Sequence, residues 1–255
     1  MMLYAGTVRR FRTLVLRRRK NYWMTKAVQT LPDSSLIITY TNAYGMPMLQ
    51  VNVDSSGTNK WCTFYRYDTS GHVIWEAQPS AVNGYDDSYD DLMHYDSGTG
   101  LYQYLNNSTG LIHVTDYYGA TATAPGYAEN EKVRQGQSGS DILVRSYTYT
   151  THTDSNGTTV YPVATVVDYP DATTTATTIT TSYSYTFYTG TNQLSQKVTT
   201  LPAIASGQNG SGSSATITED FDTYGNLTQV TDERGTINTY EYNIVLGVTT
   251  QQALD

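Results

Sequence analysis

The chain has 255 residues, 38% apolar and 15% charged, with 24 tyrosines, one cysteine and a formal net charge of −8. That length can bury a real core, while the lone Cys62 excludes an intrachain disulfide and a cysteine metal site. So many tyrosines at so low a charge exclude an ordinary disordered chain, and Tyr and Thr suit pleated, half-buried surfaces, so the composition predicts an all-β protein.

Seven of the fifteen Lys and Arg residues fall between Arg9 and Lys20, and no acid precedes Asp33. Residues 1–24 are read as a basic, disordered extension, or as residues added by an upstream start before Met24. A tail drawn to phosphates or membranes is the alternative. Only Leu14, Val15 and Leu16 separate Arg12 from Arg17, too few for a secretory signal, and no run approaches a membrane span. The remainder sets eight basic against 23 acidic side chains, which excludes the basic stripe that nucleic-acid binding needs.

An acidic or amide residue, two spacers and a glycine recur eight times, beginning at Asn42, Asp54, Asp68, Asn107, Asp116, Asp154, Asp222 and Asp232. They end at Gly45, Gly57, Gly71, Gly110, Gly119, Gly157, Gly225 and Gly235. Asx at the first turn position accepts a hydrogen bond from a following amide, and glycine at the fourth takes a positive φ without a Cβ clash. Within clusters the copies lie roughly ten to fourteen residues apart, the rhythm of stacked β-hairpins.

Residues 25–119 therefore read as hairpins built from LIITY, MLQVNV, KWCTFYRY, HVIW, LYQYL and LIHVTDYY. In KWCTFYRY, alternation places Tyr65 and Tyr67 on one face. Pro79 and Gly84 mark an irregular connection, and the acids after them predict a short helical insert near 86–95. Residues 120–141 read as a polar loop. Residues 142–203 read as two hairpins, one turning at Asp154–Gly157 and the other at Thr189–Asn192. IASGQNGSGSS makes 204–214 a Gly/Ser linker or loop, and 215–255 packs two turns before the opening of a further, truncated repeat.

Candidate chemistry is sparse. His72, His94, His113 and His152 fall in separate repeats, so neither metal nor cofactor is expected. Asp86, Ser88 and Asp90 imitate the start of a calcium loop, but Asp91 stands where glycine is required. Glu219 with Asp220, or Glu76 with a distant acid, is the only glycosidase-like pairing. SGQNGSGSS lacks the Lys-Ser/Thr ending of a phosphate loop, and no Gly-x-Ser-x-Gly elbow occurs. Trp61, Trp75, Tyr65, Tyr67, Tyr240 and Tyr242 have two readings: sheet packing, or weak stacking on sugar rings.

The stretch FDTYGNLTQVTDERGTINTYEYN, Phe221–Asn243, resembles the YD-repeat, or Rhs-repeat, family. Phe221 replaces the usual tyrosine and Asn243 the usual aspartate. RYDTSGHVIWEAQPSA, Arg66–Ala81, is a second copy, and YTNAYGMPML and YLNNSTGLIHVTDYYG are looser ones. The resemblance implies a tandem β-hairpin strip forming a curved open sheet, part of a hollow β-shell. Bacterial relatives enclose the toxic part of polymorphic toxins, and the animal teneurins use the shell in adhesion. It implies a surface-exposed or secreted protein, with cell-surface glycans among the partners. The Asp-Pro-x-Gly element of the self-cleaving members is missing, so no protease residue carries over. Eight turns are too few to close a cage. Open edges then predict pairing with further repeats of a longer chain or with another β edge. The expected function is non-enzymatic encapsulation or adhesion, and the alternative is an all-β carbohydrate-active enzyme using paired carboxylates.

Overall fold

A computed structural model describes residues 8–9, 20–175, 177–243 and 248–254. The chain divides into two compact units, residues 1–117 with 130–143, and residues 118–129 with 144–255. The fold is all-β, with a single short 3-10 turn at Ser206–Gln208 among the described residues. None of those residues forms a helix long and apolar enough to cross a membrane.

The first unit contains β1 (Val8–Arg9), β2 (Trp23–Thr30), β3 (Leu36–Asn42), β4 (Pro47–Val53), β5 (Lys60–Tyr67) and β6 (Val73–Ala77). After these come the short β7 (Tyr95–Asp96) and β8 (Leu101–Tyr102), then β9 (Leu111–Tyr117) and most of β10 (Ala128–Gln135). Its sheet runs β1-β2-β3-β4-β5-β6-β9-β10, an open meander, and β7 pairs with β8 apart from it. Because β6 pairs directly with β9, residues 78–110 form one excursion from the strip.

Alternation along β3, β4 and β5 sends Tyr40, Leu49, Val51, Cys62 and Phe64 into the core. The excursion supplies its roof: Ala81, Leu92, Met93, Tyr102 and Leu105 are all buried against those strands. A fully buried Leu, Met or Phe contributes roughly 1.5–3 kcal/mol, so this unit holds most of the hydrophobic stabilisation.

The second unit contains most of β11 (Ile142–Tyr149), then β12 (His152–Thr153), β13 (Thr159–Val160), β14 (Val163–Asp168), β15 (Ile179–Phe187) and β16 (Leu194–Thr200). It ends with β17 (Thr216–Phe221), β18 (Leu227–Thr231), β19 (Ile237–Asn243) and β20 (Val248–Leu254). Strands β11-β14-β15-β16-β17-β18-β19-β20 are antiparallel neighbours in that order. Among its described residues Ala124 is the only fully buried apolar side chain. Cross-strand pairs therefore carry this sheet: Arg145–Asp168 at 2.6 Å, Lys197–Glu219 at 2.8 Å, and hydroxyls such as Thr148–Thr165 at 2.6 Å.

Six of the eight Asx-x-x-Gly segments share one construction. The glycine amide donates to the Asx carbonyl at 3.0–3.3 Å at Asn42, Asp54, Asp68, Asp154, Asp222 and Asp232. Each of these glycines lies at φ between 74° and 102°. The Asx Oδ1 also accepts the amide four residues on, as from Met46, Thr58, His72, Thr158, Asn226 and Thr236. In four of the six it takes the amide two residues on as well, from Tyr44, Asn156, Tyr224 and Arg234. One side-chain oxygen thus satisfies amides that a glycine-bulged corner leaves without a ladder partner.

The other two segments differ. Asp116 stays in β9, held by Lys132, and the chain turns later, where Tyr118 N–H donates to Tyr127 O at 2.9 Å. At Asn107 the carbonyl accepts from Ser138 N–H at 2.9 Å, so Gly110 keeps its positive φ of 83° without closing the turn.

The helical insert expected near 86–95 is a series of turns, because Leu92 and His94 sit at φ 65° and 52° and Asp91 accepts the amides of Met93, His94 and Tyr95. Within the expected loop 120–141 lies strand β10, whose Lys132 and Arg134 pair with Asp116 and Asp141 instead of burying apolar surface. Of the two readings of residues 204–214, the structure has the loop and not the linker: they close a hairpin, since Leu201 N–H donates to Ala215 O at 2.8 Å. Only glycine fits at Gly210 there: a Cβ would meet Ile204 O at 2.0 Å. Order begins before residue 24, because Val8–Arg9 pairs with Thr25 and Lys26, and Trp23 is buried with Nε1 donating to Tyr89 O at 2.9 Å. Residues 10–19, with most of the basic cluster, lie outside the described residues.

Two predictions follow from the corners. Gly225→Val places a β-branched residue at φ 88° with its Cβ about 3.3 Å from Gln193 Nε2. It should cost on the order of 1–3 kcal/mol in thermal or urea unfolding, and unchanged stability would contradict the corner. The carboxyls of Asp54, Asp222 and Asp232 are held below their ordinary value of 3.8, chiefly by hydrogen bonds from Ser56, Asn226 and Thr236 respectively. For Asp68, burial raises the value, but hydrogen bonds from His72 and Gly71 outweigh it and the net shift is downward. A depressed folded pKa gives stability that is full above the ordinary value and lost as pH falls through the folded one. Melting temperature should therefore drop below about pH 4, whereas a flat profile to pH 2 would count against these bonds.

Candidate functional site

The six aromatic residues singled out in the sequence do not share one platform. Trp61 is 49% exposed on β5 opposite Asn52. Trp75 lies opposite Arg66, which aligns it with the face that carries Phe64, and strand alternation puts Trp61 on the other. The Trp75 ring has the Arg66 guanidinium at 4.8 Å and that of Arg134 at 4.9 Å, so cations occupy its surroundings. Tyr65 pairs with Glu76 and packs on the core cluster that includes Tyr67, with a bulge between Arg66 and Tyr67. Tyr240 and Tyr242 stand on β19 in the other unit, opposite Gln252 and Thr249. The turn residues Asp68, Gly71, Asp222, Gly225, Asp232 and Gly235 form hairpin corners of the kind described above.

A role for tyrosine that the sequence did not disclose is a latch near strand ends. The Tyr67 hydroxyl donates to Pro47 O at 2.5 Å and the Tyr117 hydroxyl to Val73 O at 3.0 Å. Tyr149 reaches Ala128 O at 2.9 Å and Tyr185 reaches Val163 O at 2.8 Å. Each acceptor is the first residue of a strand. Burial pushes the Tyr67 phenol up to about 12 and raises those of Tyr117 and Tyr185, so all three remain protonated donors at neutral pH. The signal available was the tyrosine that ends a strand-like run, as in YRYD.

The acids offered for catalysis are dispersed. Glu219 and Asp220 are consecutive in β17 and leave opposite faces, where they meet Lys197 at 2.8 Å and Gln196 at 2.9 Å. Glu76 accepts from Gln78 at 3.0 Å. The Asp86 carboxylate accepts the Ser88 amide at 2.8 Å, and Asp87 pairs with Lys26 at 3.1 Å. Among the described residues no group of three or more His, Cys, Asp and Glu is placed to hold a metal. Three histidines stack on rings instead: His72 on Tyr117 at 4.5 Å, His94 on Tyr89 at 3.9 Å and His152 on Phe187 at 3.8 Å.

Two hollows lie at the excursion. A cleft of about 810 Å³ is lined by Asn83, His94, Tyr95, Asp96, Gln103 and Asn107 with their neighbours. A smaller hollow of about 250 Å³, reaching Asn21 and Asp91, shares the His94, Tyr95 and Tyr102 walls. The cleft floor is fixed by Gln137, a buried side chain arriving from beyond β10. Its Oε1 accepts Tyr102 N–H at 2.7 Å, while Nε2 reaches Tyr102 O, Leu105 O and Asn107 Oδ1 at 2.7, 2.9 and 2.8 Å. The carboxamide acts as one more strand residue beside the end of β8 and the turn that follows it. Nothing in the sequence distinguished Gln137 from other polar loop residues.

No family model matches the chain, and no curated protein does. Among solved structures, the Photorhabdus luminescens Tc holotoxin pore with a mutated TccC3 is 16% identical, at a TM-score of 0.38. That alignment covers 92% of this chain and 13% of the other. The TcdB2-TccC3 and TcdB2-TccC3-Cdc42 crystal structures are each 14% identical over 92% of this chain and 13% of theirs, at TM-scores of 0.36 and 0.38. The chain thus spans about an eighth of the length of these chains, 13% in each case.

Replacing Gln137 by Leu removes one donor and one acceptor group and orphans Tyr102 N–H and Leu105 O, whereas Tyr102 O keeps the Leu105 amide at 3.3 Å. At roughly 1–3 kcal/mol for each buried unsatisfied group, Gln137→Leu should lower the unfolding free energy by about 2–5 kcal/mol, read by urea titration. A change under about 0.5 kcal/mol would show that the clamp does not hold the excursion.

Proposed function

We propose that this chain is a non-catalytic β-hairpin segment of a surface-exposed or secreted bacterial protein of the Rhs, or YD-repeat, kind. Its sheets enclose or adhere; they do not transform a substrate. One observation carries the reading: the same Asx-capped, glycine-bulged corner recurs in both units, built by the residues on which the sequence resemblance rests. In Phe221–Asn243 the motif supplies the end of β17, a corner, β18, a second corner and β19. The extracellular setting rests on that resemblance. Sheet edges with unpaired main-chain groups suit further repeats of a longer chain, or another β edge, as partners. Weak contacts with cell-surface glycans would gain strength through repetition and avidity.

The alternative, a carbohydrate-active enzyme, needs two carboxyl groups facing one bond across about 5–10 Å. Glu219 and Asp220 leave opposite faces of β17, and Glu76 accepts from Gln78. Purified chain incubated with neutral and acidic polysaccharides should yield no cleavage products by mass spectrometry. Saturable sugar release that disappears in Glu219→Gln or Glu76→Gln would overturn the non-catalytic reading.

A further inference from the structure

Residues 78–110 are the part of the first unit that departs from the hairpin meander, and they do two things at once. Their apolar side chains roof the core, and their polar ones line the 810 Å³ cleft. That volume is in the range of small-molecule sites, about 300–1,000 Å³. We infer that the cleft binds a neutral oligosaccharide. The inference deepens the glycan-contact part of the function proposed above, and assigns that contact to the excursion instead of the sheet aromatics.

The lining selects this class. No Lys or Arg is among the lining residues, the Arg66 guanidinium standing 6.0 Å from the Tyr102 ring, and Asp96 brings a carboxylate, so the lining favours an uncharged ligand over an anionic one. Hydroxyl-rich neutral molecules need mixed donors and acceptors at short spacing, which the carboxamides of Asn83, Gln103 and Asn107 provide. His94 Nδ1 is bonded to Gln103 Oε1, which orients both groups and leaves His94 Nε2 and Gln103 Nε2 without a bond among the described residues. Asn107 Oδ1 is held by Gln137 and Asn83 Nδ2 by Asn106 Oδ1, so Asn107 retains a donor and Asn83 an acceptor.

An aromatic surface completes the set. Tyr95 is 45% exposed, with its ring 5.0 Å from that of Tyr102 and tilted by 52°. It offers a flat apolar face for the C–H side of a pyranose ring. His94 is locked by stacking on Tyr89 at 3.9 Å and 10°. Groups already ordered before binding lose little entropy on it.

The test is calorimetric titration of the full chain with maltotriose, cellotriose and chitotriose, with sialyllactose as an acidic control. At least one neutral trisaccharide should bind at a single site, and sialyllactose should not bind more tightly than it. Tyr95→Ala and Gln103→Ala should each weaken binding about tenfold, the scale of a lost hydrogen bond or stacking contact, with melting temperature unchanged. Tyr95→Phe should retain most of the affinity, and Trp61→Ala should leave it intact. No binding of any neutral trisaccharide at millimolar concentration would overturn the site. So would binding that survives both cleft variants or disappears in Trp61→Ala. None of these outcomes alters the polysaccharide-cleavage assay, so failure of the site is distinguishable from failure of the non-catalytic reading.

Discussion

One carboxylate or carboxamide oxygen, accepting main-chain amides across a glycine-bulged corner, is the interaction on which the architecture depends. A hairpin that reverses within a few residues leaves amides with no ladder partner, and an unpaired amide away from water is costly. Asp222 illustrates the solution: Oδ1 takes the amides of Tyr224 and Asn226, and Oδ2 takes the Asn226 side chain. Gly225 supplies the left-handed φ that lets the strand return. Register follows from the corner, and register decides which side chains meet across the sheet.

The two units put that construction to different energetic use. In the first, the excursion covers one face and creates a hydrophobic core, so burial dominates. In the second, side chains on the described strands are mostly half-buried, and stability rests on many cross-strand contacts of about 0.2–1 kcal/mol each. Tyrosine latches occur in both units: the ring covers apolar surface while the hydroxyl finds a carbonyl at a strand start. A protein built this way tolerates a polar, lightly charged composition because its hydroxyls and amides bond across the sheet.

Much of the fold was legible because its signals are local. Asx-x-x-Gly names both the acceptor and the glycine that the corner requires, so six corners could be placed from sequence. Asp116–Gly119 misled because Asp116 had a stronger partner in Lys132, which arrives from β10. The 86–95 acids resembled a helix start, yet their carboxylates cap turns instead. Strand β10 was hidden because AENEKVRQ stabilises itself through ion pairs and not through apolar alternation. The cleft was the least visible part. Its lining is scattered from Asn83 to Asn107 and is held by Gln137, and only the long-range closure of β6 on β9 brings these residues together.

Residue-resolved native-state hydrogen exchange tests the corner most directly. The amides of Tyr224, Asn226, Arg234 and Thr236 belong to exposed hairpin tips, and free-peptide exchange would be the default there. Protection at these four, lost for Tyr224 and Asn226 in Asp222→Ala while Arg234 and Thr236 keep theirs, is the predicted result. Exchange of all four at unprotected rates in the intact protein would contradict the account.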